Sequence, residues 1–321
     1  MKISSAIVVW TTFGMAWPAH GHHSDIGYDR ETVVAFEARV SRYVFRNPHI
    51  TIVVETEDRR GQKVEWEIET GSTPIMRRSG WSQDLLHPGD TVMIRAHPER
   101  TGRMRAILST LETEDGRLWS QIETEAEATV SASSLAGVWK GVASTGVRGQ
   151  FSRVELTPAA QAARADYDEV TDDPNARCIA DPTPFRISNS NYLSGIEILA
   201  DRVVLRNEFL DVRRTVYMDG RGHPESGERT IQGHSIGRWE GDVLVVDTTL
   251  FSDFGSGHGE GVPSGSQKHA VERYFLSEDG TRAIVDIFVE DPEYLAESFT
   301  GRTEMVYVPH LQLYRYDCVE E

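Results

Sequence analysis

The chain has 321 residues, 39% hydrophobic and 26% charged, which suits about two domains, each large enough to bury a core. Its formal net charge of −17 repels phosphate backbones and anionic lipid, so nucleic acid and membrane surfaces are not expected partners. The charge is uneven: residues 25–120 carry 16 acids against 14 bases, leaving the excess in a linker and the second half.

Residues 1–21 read as a signal peptide. Lys2 is a short positive region, Ser4 to Trp17 is mostly apolar, and Pro18-Ala19-His20-Gly21 places small residues for cleavage after Gly21. The apolar run is short for a membrane span, and no later stretch approaches 18 apolar residues. The expectation is a periplasmic or secreted protein with no membrane insertion after cleavage.

The first domain is expected over residues 22–119. Val33–Val40 and Ile50–Val54 have strand character, Asp58-Arg59-Arg60-Gly61 is a turn, and Lys63–Glu69 alternates polar and apolar residues at period two. A short helix near Thr73–Ser79 precedes strands at Thr91–Arg95 and Met104–Leu111. Five strands and one short helix predict a small closed barrel of oligonucleotide-binding (OB) type, a topology that does not carry a function with it. Residues 120–134 lack hydrophobic periodicity and read as a solvated linker.

The second domain is expected over residues 135–321. Gly137-Val138-Trp139 begins its first strand. Thr157-Pro158 starts a helix over Ala159–Tyr167, since Thr caps and Pro fits the first turn. Thereafter strands and turns dominate, with Thr230–Trp239, Val243–Thr249, Val271–Leu276, Ala283–Val289, Thr303–Val308 and Leu311–Tyr316 among the predicted strands. Eight or nine sequential strands predict an antiparallel up-and-down barrel with an interior cavity. The fold class is therefore mainly β. Only two cysteines occur, Cys178 and Cys318. In an oxidising compartment they are expected to pair, stabilising the fold by about 3–5 kcal/mol through the long loop they close.

Three resemblances attach to these residues. His22-His23-Ser24, Asn47-Pro48-His49 and Trp66 with Gly71-Ser72 resemble a family of uncharacterised exported bacterial proteins, with a departure at Asp25, where an aromatic is expected. Met218-Asp219-Gly220-Arg221, His223-Pro224, the run Gly233–Asp242, Val245–Thr248 and Glu272-Arg273-Tyr274 resemble a second uncharacterised exported family. Neither resemblance implies an activity. Gly137-x-Trp139 is similar to the first-strand motif of lipocalins, which implies a lipocalin-like barrel.

Two constellations carry chemistry. Cleavage after Gly21 would expose the amine and imidazole of His22, with His23 next, and a further imidazole from His23 or His49 completes a nitrogen set suited to copper. The second lies on the hairpin from His234 to Asp247. With Glu240-Gly241 as its turn, His234 faces Asp247, and Arg238 points the same way. A carboxylate beside an imidazole fixes its tautomer and raises its pKa, which suits a general base, and inside a barrel Arg238 would hold an anionic group. Ser235 lies on the opposite face, so no Ser-His-Asp triad is expected here. Tyr192, Trp239, Tyr274 and His269 are the candidates for lining a ligand cavity. His269 and Glu272 have opposite parity, and a zinc set from His223, His234 and His269 lacks supporting spacing. His258 sits in a Gly-rich loop that reads either as a lid or as slack. Three functions follow: binding of a small, partly apolar molecule in the second barrel, acid–base catalysis by His234 and Asp247, and copper binding through His22, His23 and His49.

Overall fold

The computed structural model describes residues 27–58, 60–121, 127–184, 187 and 190–319. The first barrel is built from β1 (Val34–Val44), β2 (Thr51–Glu57), β3 (Lys63–Glu69), β4 (Thr91–Pro98) and β5 (Arg105–Thr113), with the short β6 (Leu118–Trp119) added to β5. Its order, β3-β2-β1-β4-β5, closes through a parallel β3–β5 pairing, which is the OB arrangement. Bulges in the β1–β2 pairing at Val40/Arg42 and in the β4–β5 pairing at Arg95/Ala96 supply the extra bend that closing so small a sheet requires. Alternate residues point inward, and Val40, Ile52, Val54, Ile68, Ile94 and Leu111 form a dry core.

The second barrel contains β7 (Gly137–Gly141), β8 (Leu193–Ile198), β9 (Arg202–Asn207), β10 (Val212–Tyr217), β11 (His234–Glu240), β12 (Val243–Thr249), β13 (His269–Leu276), β14 (Arg282–Glu290) and β15 (Phe299–Tyr307). These nine strands form a closed barrel. β14 shows why: buried Ala283, Val285, Ile287 and Val289 alternate with residues of the outer face. Trp139 is fully buried in the same core, and its indole N–H donates to the Leu135 carbonyl at 2.9 Å.

One junction departs from the expected antiparallel meander. β10 and β11 run parallel and share only two residue pairs, Val216↔Ser235 and Tyr217↔Ile236, because residues 218–233 cross back over the barrel before β11 begins. The predicted strand at Thr230 therefore starts at His234. Leu311–Tyr316 forms no strand; it runs back toward the first barrel. Residues 127–134 are also more engaged than a free linker, since the Ala132 N–H donates to the Gly280 carbonyl and the Ser131 hydroxyl to that of Asp279.

The two barrels meet through the helix Thr73–Arg78. Arg78 donates to both Glu208 carboxylate oxygens at 2.8 Å, and Glu208 also accepts from the Leu193 and Tyr314 amides. Asn47 bonds Thr73 at the start of that helix and donates to the Tyr316 carbonyl. Cys178 and Cys318 form the expected disulfide, with Cα atoms 5.8 Å apart, and anchor the C-terminal segment beside Asn47.

Candidate functional site

The inner face of the second barrel is apolar except at one level. There Arg214 of β10 makes a two-pronged ion pair with Glu272 of β13, both buried. The Tyr274 hydroxyl donates to Glu272 at 2.8 Å, and the Ser235 and Thr248 hydroxyls pair at 2.9 Å beside Arg214. Burial, reinforced by Glu272, pushes the Tyr274 phenol well above its ordinary value, so it stays protonated as a donor. Next to this group lies a pocket lined by Ile196, Leu205, Val212 and Met305 on its apolar side and by Asn207, Arg214 and Gln232 on its polar side. Its space for water-sized groups is about 40 Å³, room for roughly three waters. The Gln232 side chain donates to the Asp181 carbonyl at 2.9 Å across its edge.

One end of this barrel is covered by residues 250–268 and 291–298. His258, expected in a lid or a slack loop, is packed inside. Its Nε2–H donates to Asp291 at 2.8 Å, its ring stacks on Phe151, and burial holds its imidazole down at about 4, hence neutral. Lys268, also buried, sits 4.8 Å from the Phe251 ring centroid.

The hairpin residues singled out above lie elsewhere. Its turn is Gly241-Asp242, one residue beyond the expected Glu240-Gly241, which moves the pairing by two, so Ile236 rather than His234 is opposite Asp247. A two-residue slip preserves parity, and His234, Arg238 and Asp247 do share a face. That face is the outer one: Leu244, Val246 and Thr248 fill the interior, while Arg238 is exposed and paired with Glu240 at 2.7 Å. Arg238 therefore holds no anionic group inside the barrel. The cavity set also divides. Tyr274 faces the pocket. Tyr192 packs with Phe209 and Tyr316 against Ile75 between the barrels, Trp239 is 44% exposed, and His269 lies on the outer face.

Outside the barrel, the histidines form a chain. His269 donates from Nδ1 to Glu290 and from Nε2 to Asp247, both at 3.1 Å. The same Asp247 oxygen accepts from His223 Nε2 at 2.9 Å. In a neutral His223 ring that bond leaves Nδ1 as an acceptor, and the proton in the 3.0 Å contact between the two Nδ1 atoms then belongs to His234. The His234 ring stacks on Tyr217, and the Arg221 guanidinium lies over the same phenol ring, 4.2 Å from its centroid. Hydrogen bonding to Asp247 raises the His269 imidazole to about 9, so it is charged at neutral pH. The Asp247 carboxyl is held below its ordinary value chiefly by His269. Burial and the neighbouring His223 and Arg221 lower His234. Among the described residues, no group of three or more His, Cys, Asp or Glu is arranged to hold a metal ion.

His22 and His23 lie outside the described residues. His49 lines a cleft of about 580 Å³ with Arg30, Ser72, Ser109, Gln121 and Asn191, and its Nδ1 is 3.8 Å from Glu69.

Residues 11–108 match the model of a family of unknown function (DUF6152), which covers less than half of the chain. No curated protein matches. Among solved structures, a variant of the fluorescent protein UnaG aligns at 10% identity over 54% of this chain and 95% of that chain, with a TM-score of 0.26. At that score the likeness adds nothing to the strand topology.

Sequence reasoning missed Arg214, its ion pair with Glu272, Lys268 and the bridging role of His223. For Arg214 a signal exists: Val212, Arg214 and Val216 share a face, and an arginine between two valines on an inward face needs a buried partner.

Proposed function

We propose that this is an exported small-molecule-binding protein whose second barrel takes a small, partly apolar molecule. The observation that supports this is the lumenal pocket, where aliphatic walls meet a short row of hydrogen-bonding groups, Asn207, Arg214 and Gln232, in an otherwise filled barrel. Arg214 is already neutralised by Glu272, so the pocket favours an uncharged ligand with one polar end. Its volume admits a ligand of ordinary size only if the edge formed by Gln232 and Asp181 moves. Export is supported by the disulfide and the signal-like start. No helix among the described residues is long and apolar enough to cross a membrane.

The test is a thermal-shift and native mass-spectrometry screen of neutral compounds carrying one hydroxyl or carbonyl. Wild type should retain hits that Leu205→Trp, which fills the pocket, loses while keeping its far-UV spectrum. Hits that survive Leu205→Trp, or none across the panel, refute the lumenal site.

Acid–base catalysis through His234 and Asp247 has one observation in its favour: the outer chain leaves His234 Nε2 as an acceptor. It would act on a molecule held at the barrel surface rather than in the lumen. Copper binding through His22, His23 and His49 is supported by reach, since Arg30, only seven residues beyond His23, lines the same cleft as His49. Titration of the processed chain with Cu(II) tests it; His49→Ala should weaken uptake, and equal uptake by both forms removes His49 from the set.

A further inference from the structure

The lumenal pocket needs a moving edge, and the barrel's shortest seam carries two of its lining residues, Val212 and Arg214. β12–β15 pair through five to eight residue pairs at each junction, β7 pairs with β15 through three and with β8 through four, and β10 and β11 share two. Side chains reinforce that seam on both faces. Inside, Val216 and Met218 fill the space over Gly237, where a Cβ would come within 2.7 Å of both. Outside, Tyr217 of β10 stacks on His234 of β11, and His223 from the crossing loop ties His234 to Asp247 of β12. The loop that carries His223 ends at Gln232, on the pocket edge.

We propose that the His223–His234 contact is a proton-sensitive latch on the β10–β11 seam, closed at neutral pH and released by acidification, and that its release opens the lumenal pocket. The pocket half of this inference rests on the binding function proposed above. The chemistry of the latch is a count of protons. Asp247 takes the Nε2–H of His223, so one proton serves the 3.0 Å contact between the two Nδ1 atoms. One added proton leaves one Nδ1 able to accept, but two added protons charge both rings and set two N–H groups against each other, and the bond becomes a repulsion.

The groups facing this pair are Tyr217 from β10, Asp219 and Arg221 from the loop, Asp247 from β12, and beyond it His269 from β13 and Glu290 from β14. His269, raised to about 9, is already charged and does not change between pH 7.5 and 5. Asp247, held low, stays ionised there. Arg221 adds positive charge near His234 and is itself paired with Asp219. The pair therefore supplies the local change. Since His234 is held below the ordinary imidazole value of 6.5, the latch stays closed at neutral pH and yields only in acid.

Hydrogen exchange in the ligand-free chain tests the latch, with protection corrected for the intrinsic pH dependence of exchange. Between pH 7.5 and 5, protection in segments 212–217 and 234–240 should fall about ten-fold or more, while β14 and β15 keep theirs. His234→Phe, which keeps a ring against Tyr217 but carries no proton, should show no such pH dependence; His223→Gln should match it, and serves if the first variant fails to fold. Unchanged wild-type protection at the seam, or an equal fall in the variants, overturns the latch. Because no ligand is present, absence of lumenal binding would not touch that result. Lumenal binding with a pH-independent seam would overturn the latch alone.

Discussion

Replacing Lys268 by methionine should stabilise the protein, and by an amount that depends on pH in one direction. The ammonium is buried against the Phe251 ring, and burial pulls its pKa from 10.5 to about 7 despite the attraction of Asp291, Glu272 and Asp181. From 10.5 to about 7 is a shift of roughly 3.5, which corresponds to about 5 kcal/mol. Between pH 7 and 10.5 the unfolded chain holds this proton and the folded chain does not, so the lysine's contribution rises with pH across that window. The penalty is full below pH 7 and absent above 10.5. Methionine keeps the length and apolar stem without the charge. In urea titrations at pH 6, 8 and 10, the variant should exceed wild type by up to about 5 kcal/mol at pH 6, and the gap should close steadily toward pH 10. Taking the difference between the two proteins cancels the other titrating groups. A gap that stays constant from pH 6 to 10 would show that Lys268 keeps its proton in the fold and would refute the reasoning.

Two further expectations concern the same barrel. Glu272→Gln leaves Arg214 charged and buried with neutral partners only, which should cost about 3–5 kcal/mol in urea unfolding, whereas Arg214→Met with Glu272→Leu should recover most of that loss; equal damage from both would mean the pair stabilises by itself. Asp247→Asn removes the carboxylate that His223 and His269 share, so the His269 imidazole should titrate well below its present value of about 9 in an NMR pH series, and an unmoved resonance would assign the shift to Glu290.

Much of the architecture was legible because barrels write themselves as alternation. Five strands with a helix before the fourth, a long second domain of turns and strands, and two cysteines suited to pairing all have physical signatures that survive without coordinates. The crossing at residues 218–233 does not, because parallel pairing of β10 with β11 depends on where the whole loop packs and not on any local pattern. The strand expected at Leu311–Tyr316 failed for a related reason. Its amides are taken by the side chains of Glu208 and Asp211 rather than by a neighbouring ladder.

The hairpin shows where such reasoning stops. Parity correctly groups His234 with Arg238 and Asp247, and a one-residue displacement of the turn, which moves the pairing by two, leaves that grouping intact. Parity cannot say which group faces inward. On β12 both faces are apolar in part, with Leu244 and Val246 on one and Val245 on the other, so hydrophobicity does not choose between them. The choice is made by the far strands: Tyr274, Val285 and Trp139 complete a dry interior with Leu244 and Val246, while Glu290 and the loop carrying His223 meet the opposite face. Ser235 and Thr248, small hydroxyls that satisfy one another, can enter that interior; an ionised Asp247 between two histidines cannot do so without a large desolvation penalty. The polar chemistry of this barrel is thus split by its wall, with a compensated Arg214–Glu272 pair beside the lumen and a titratable histidine chain outside. In the proposed latch, the short β10–β11 seam is where proton uptake on the outer face would change the fit of the inner one.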